Sequence, residues 1–167
     1  MSGVARPGAA LEEAPMLPDK RTILEIEGYV VAFRTWRVGP TGLLSVNPHS
    51  IRDYPDPWRP GKKAVSEHQG SSFQHLPGSC PEGACGIYAY KYAWGSQLGD
   101  YPGGVFIHGT VRLWGDVVEY TEGYRAQYAY PDRMVDTGPV ARFLADLYDV
   151  LIMEVSEWEE LARRFGG

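Results

Sequence analysis

Two histidines and two cysteines fall within 18 positions of one another: His68, His75, Cys80 and Cys85. Two thiolates and two imidazoles make a full tetrahedral set for Zn²⁺. The first three lie in residues 47–81, a stretch with prolines at 48, 55, 57, 60, 77 and 81 and little periodicity. A long irregular segment of this kind is uncommon inside a compact domain unless a function or a ligand pins it. A structural zinc would supply the order that the segment's own apolar residues do not. The spacing departs from a common zinc knuckle, because four residues separate the cysteines where two are usual. Two other chemistries fit the same residues. One is an inert pair of cysteines with solvated histidines. The other is a Cys80–Cys85 disulfide, which a reducing compartment disfavours. No histidine can be assigned as the partner that would make either cysteine a nucleophile.

A second set combines large rings with one guanidinium: Trp36, Tyr88, His108, Trp114, Tyr124, Arg125, Tyr128 and Tyr130. Tyr and Trp offer contact area with a hydrogen-bonding edge, and Arg stacks on rings or pairs with an anion. Gathered around one groove, they would bind a nucleotide-like small molecule or a peptide. The alternative is that they fill the core, as aromatic residues at strand spacing usually do. His108 reads either as a general base or as a hydrogen-bonded structural residue. Familiar catalytic signatures are missing from the sequence. It has no phosphate-binding Gly-rich loop with Lys-Ser/Thr, no dinucleotide fingerprint, no Gly-x-Ser-x-Gly and no His-Glu-x-x-His. Asp53, Asp56, Asp100 and Asp116 are too scattered to name a carboxylate pair.

The elements that must position these residues centre on Val105–Pro131. Val105, Ile107, Val111 and Leu113 alternate with Phe106, His108, Thr110, Arg112 and Trp114, the two-residue period of a strand. Gly115 interrupts the run and predicts a bulge. Thr121-Glu122-Gly123 predicts a turn, and Tyr124, Ala126, Tyr128 and Tyr130 share one face of the returning strand. Upstream, Ile23–Val38 and Leu43–Val46 read as a first hairpin across Gly39-Pro40-Thr41-Gly42. Gly86–Trp94 fits either a strand or a short helix. After Pro131 the period lengthens to that of a helix, with Val140, Phe143, Leu144 and Leu147 on one face. A short strand follows at Leu151–Val155. A second helix opens on the capping box Ser156…Glu159.

Composition narrows the function classes. The chain has 167 residues, 44% of them hydrophobic, and a net charge of −5. That suits one folded domain over residues 21–167, preceded by an Ala/Pro/Gly-rich disordered tail over residues 1–20. An acidic chain is a poor nucleic-acid binder. No apolar run approaches the roughly 20 residues that span a bilayer. The expected compartment is the cytoplasm.

Three segments carry a resemblance: Cys85-Gly86-Ile87-Tyr88-Ala89, Leu113-Trp114-Gly115-Asp116-Val117, and Gly123 to Pro131. Together they resemble a family of small proteins of actinobacteria and their phages, over roughly Trp36 to Val155. The family pattern has a closer Cys-x-Cys pair and an earlier cysteine, where this chain has Cys80 and Cys85 with Ser66 and His68 upstream. The resemblance implies a domain identity and supplies no mechanism. The expectation is an α+β fold: a mostly antiparallel sheet built on a long central hairpin, with the C-terminal helices on one face. The expected function is non-enzymatic binding of another protein, as an accessory or phage-encoded regulator. The alternative is an enzyme or sensor for a nucleotide-like ligand held in the aromatic/Arg pocket.

Overall fold

A computed structural model describes residues 22–24, 27–45, 58–65, 76–77, 86–93 and 105–165. The expected tail, and all four candidate metal ligands, lie outside these residues. Among these residues, eight strands and two helices follow in the order β1 (Thr22–Leu24), β2 (Val30–Gly39), β3 (Gly42–Ser45), β4 (Ala64–Val65), β5 (Ile87–Tyr90), β6 (Phe106–Glu119), β7 (Gly123–Val135), α1 (Pro139–Tyr148), β8 (Leu151–Met153) and α2 (Val155–Phe165). The pairings are antiparallel except for β8, which joins β7 in parallel across α1. This is an α+β fold with a mostly antiparallel sheet. Gly86–Trp94 resolves as a strand over Ile87–Tyr90.

The two longest strands, β6 and β7, run against each other with two register shifts. At the first, Thr110 pairs with Arg133 and Val111 with Pro131, so Asp132 is the extra residue. At the second, Trp114 pairs with Tyr128 and Val117 with Ala126, so β6 carries one extra residue. Gly115 occupies that bulge at φ 79°, a region that side chains other than hydrogen enter at a cost. Near the first shift the strands approach closely. A Cβ on Gly109 would stand 2.0 Å from the Arg133 carbonyl oxygen.

β2 pairs with β6, and β5 with β7. A single pairing, Phe33 with Tyr90, joins β2 to β5. The circuit β2–β6–β7–β5 is therefore closed, and its inner face holds the main core. Ala32, Trp36, Ile107, Val111, Leu113, Val117, Ala126, Ala129 and Met134 are buried there with Leu43 and Trp58. Trp36 meets Trp58 edge to face at 5.5 Å, a contact worth about 1 kcal/mol beyond its area.

The helices do not share a face, contrary to the sequence expectation. Ala141, Leu144, Ala145 and Tyr148 of α1 pack into the inner core. Trp158 of α2 packs with Ala93, Val135 and Met153, and with Phe33 at its edge. Neighbours in sequence divide between the two: Met134 and Ile152 on the first side, Val135 and Met153 on the second. Alternation along β7 and β8 therefore places the helices on opposite faces of the sheet. The buried face of α1 is also rotated by one residue from expectation. The small Ala141 and Ala145 let the helix approach the sheet, and Val140, Phe143 and Leu147 point outward.

Candidate functional site

On a sheet, residues directly opposite one another share a face. Val31 stands opposite Arg112, and Arg112 opposite Tyr130. One row further, Trp114 stands opposite Tyr128, and Tyr128 opposite Val65. These two rows cross β2, β6, β7 and β4 on the outer face of the circuit. His108 and Thr110 lie further along the same side of β6, and there α2 provides cover through Trp158. The rows around Arg112 and Trp114 have a different environment. Tyr29 is 55% exposed, Val31 48% and Val65 40%, while Trp114 and Tyr128 are half-buried.

Polar contacts hold this face in place. The Trp114 and Tyr128 rings lie 6.0 Å apart. Lys63 sets its ammonium 3.8 Å from the Tyr128 ring centre, and Arg112 lies 5.4 Å from the ring of Tyr29. Arg112 Nε donates to Asp132 Oδ1 at 2.9 Å, and the Thr110 hydroxyl donates to Asp132 Oδ2 at 2.9 Å. The bulge that makes Asp132 the extra residue is thus what fixes the guanidinium. Gln127 accepts from the Asp116 N–H at 3.1 Å and donates to the Tyr128 hydroxyl at 3.1 Å. The Gly115 bulge and the Tyr128 ring are linked through that one amide. The result is a pre-positioned surface of rings, aliphatic side chains and two cations.

The other expected site residues lie elsewhere. Arg125 is buried, its guanidinium 5.1 Å from the Tyr88 ring, and donates to the Gly86 carbonyl at 3.4 Å. Arg34 donates to the Tyr88 carbonyl and lies 4.8 Å from the Trp58 ring. Burial pushes the Arg34 guanidinium down to about 10, with Tyr90 opposing and Arg125 adding to the shift. Burial raises the Tyr88 hydroxyl to about 12. Trp36 is core. Tyr124 is half-buried with Lys91 at 5.5 Å, and Lys91 also pairs with Glu119 at 2.8 Å. Tyr130 extends to the sheet edge, where its hydroxyl accepts from Gly61 N–H and donates to the Tyr148 carbonyl, both at 2.8 Å.

His108 is buried beside Trp158, and its Nδ1 shares a hydrogen bond of 2.9 Å with the Thr35 hydroxyl. Burial pushes its pKa down to about 4, so the ring is neutral at pH 7. Its named neighbours, Thr35 and Trp158, are not those of Arg125.

Of the eight expected residues, Trp114 and Tyr128 pair on the outer face, Tyr130 packs against the main core beside Tyr148, Tyr88 pairs with Arg125, and Trp36, Tyr124 and His108 are each placed separately. Tyr29, Val31, Lys63, Val65 and Arg112 complete the outer face and were not singled out from sequence. Alternation alone puts Arg112 beside Trp114. The cross-strand neighbours depend on two register shifts that composition does not reveal. Among the described residues no group of three or more His, Cys, Asp or Glu side chains could hold a metal ion, and no helix is long and apolar enough to cross a membrane. Comparison with protein-family profiles, curated proteins and solved structures gave no match.

Proposed function

We propose that this chain is a non-enzymatic binding protein that engages another protein, as an accessory or phage-encoded regulator, through the half of the outer sheet face that α2 leaves uncovered. The observation that carries the reading is the cross-strand pair Trp114–Tyr128, with Arg112 and Val31 in the adjoining row. A solvated face of an antiparallel sheet ordinarily alternates to polar residues. Here it presents aromatic and β-branched side chains, and aromatics with Arg are enriched at the centres of protein interfaces. The proposed kinship with small actinobacterial and actinophage proteins fits the same surface. The Leu113–Val117 segment contributes Trp114 and the Gly115 bulge, and the Gly123–Pro131 segment contributes Tyr128.

A nucleotide-like ligand held between His108 and Arg125 finds less support. His108 is buried under Trp158, and the Arg125 guanidinium already stacks on Tyr88.

Paired pull-downs with the wild type and the Trp114→Ala/Tyr128→Ala double variant test the proposal, followed by titration of each purified candidate. The expected result is a partner bound at least about tenfold more weakly by a double variant that still melts cooperatively. Equal binding by both proteins would overturn it.

A further inference from the structure

The outward stripe of α1 lies away from the surface just described. Val140 is 45% exposed, Phe143 65% and Leu147 45%. Spaced i, i+3 and i+7, they form one continuous line along the helix. They leave on the order of 300 Å² of apolar surface, the scale at which patches on a monomer become contact sites. A standard interface buries about 800 Å² on each side, so this stripe suits a reversible association and not an obligate one.

The flank of the stripe indicates what covers it. Arg142 and Asp146 are both exposed and stand one turn apart on the same side of the helix. Arg142 is held through Nε by Asp136 at 3.2 Å, which orients the guanidinium without burying it. When two copies of a helix pack antiparallel about a twofold axis, matching flanks face each other. An axis passing near Leu144 sets Arg142 against the partner's Asp146, and Asp146 against the partner's Arg142. Phe143 then meets its own counterpart across the axis, and Leu147 meets the partner's Val140. Both halves of the contact, apolar and charged, are self-complementary.

We infer that the outward face of α1 is a self-association surface, covered by a second copy of this chain in antiparallel register. The inference stands apart from the proposed binding face and survives or fails separately.

Sedimentation across a concentration series tests it on the full chain. The wild type should pass from 18.6 kDa to twice that mass as concentration rises. Arg142→Asp and Asp146→Arg should each raise the dimer Kd by about tenfold, because symmetry applies every charge change twice. An equimolar mixture of these two variants should recover the dimer, since one chain then carries two acids on the flank and the other two bases. Phe143→Glu should remain monomeric throughout. A wild type that stays at 18.6 kDa into the high-micromolar range would overturn the inference. So would a mixture that fails to recover the dimer, which would point to another partner on this face.

Discussion

Leu43 and Trp58 exchange one backbone hydrogen bond directly and the other through a third residue. Trp58 N–H donates to the Leu43 carbonyl at 2.8 Å. In return, Leu43 N–H donates to the Tyr148 hydroxyl at 2.9 Å, and that hydroxyl donates to the Trp58 carbonyl. A phenol from α1 is thereby built into a strand pairing. Tyr148→Phe should leave a buried N–H and a buried carbonyl unsatisfied and cost about 2–4 kcal/mol in urea unfolding. Tyr130→Phe removes two bonds nearer the surface, from the exposed Gly61 N–H and to the Tyr148 carbonyl, and should cost less, about 1 kcal/mol. Equal losses for the two would show that the relay is not special.

The glycines of β6 differ in what they exclude. At Gly115 a Cβ would meet the side chains of Gln127 and Tyr128 at 2.7 Å and sit at positive φ. Gly115→Val should cost about 1–3 kcal/mol. At Gly109 the obstacle is the Arg133 backbone carbonyl, which cannot rotate away. Gly109→Ala should cost about 3 kcal/mol or more, despite adding only a methyl group. Thermal unfolding of the two variants gives the ranking.

His108 makes stability depend on pH in a definite direction. Its folded pKa, about 4, is depressed by burial below the ordinary histidine value of 6.5. Between those values the unfolded chain binds more protons, so stability is full above 6.5 and is lost as pH falls toward about 4. The loss is on the order of 3 kcal/mol. His108→Gln should remove that slope from the wild-type profile. An unchanged profile would assign acid sensitivity to other groups.

Asp149 ends α1 in the left-handed region at φ 55°, and its N–H reaches the Ala145 and Asp146 carbonyls. Glycine meets that geometry without a Cβ penalty. Asp149→Gly should raise stability by roughly 0.5–1 kcal/mol, and Asp149→Val should lower it, both readable as melting shifts.

Much of the fold can be read from local chemistry. The Gly39-Pro40-Thr41-Gly42 turn joins β2 and β3, and helical period marks α1 and α2, although β7 runs past Pro131 to Val135 before α1 begins at Pro139. The buried face of α1 is harder to read, because hydrophobicity favours Val140, Phe143 and Leu147 while close packing favours Ala141 and Ala145. The separation of the two helices depends on the parity of Ile152 and Met153, which a three-residue strand states too weakly. Trp114 and Tyr128 are legible as residue types. Their meeting is not, because each bulge changes which residue lies opposite.

The closed circuit of strands also bears on how the chain reaches this structure. The turn between β6 and β7 spans only residues 120–122, so that pairing zips from a local start. Closure waits for Phe33 to find Tyr90, and loop entropy must be overcome before that contact gives any return. The seam should therefore be absent from the folding transition state. Tyr90→Leu should speed unfolding while leaving the refolding rate nearly unchanged, and Gly109→Ala should slow refolding. A chevron in which Tyr90→Leu shifts the refolding arm would mean that the chain closes its ring first and zips the long strands afterwards.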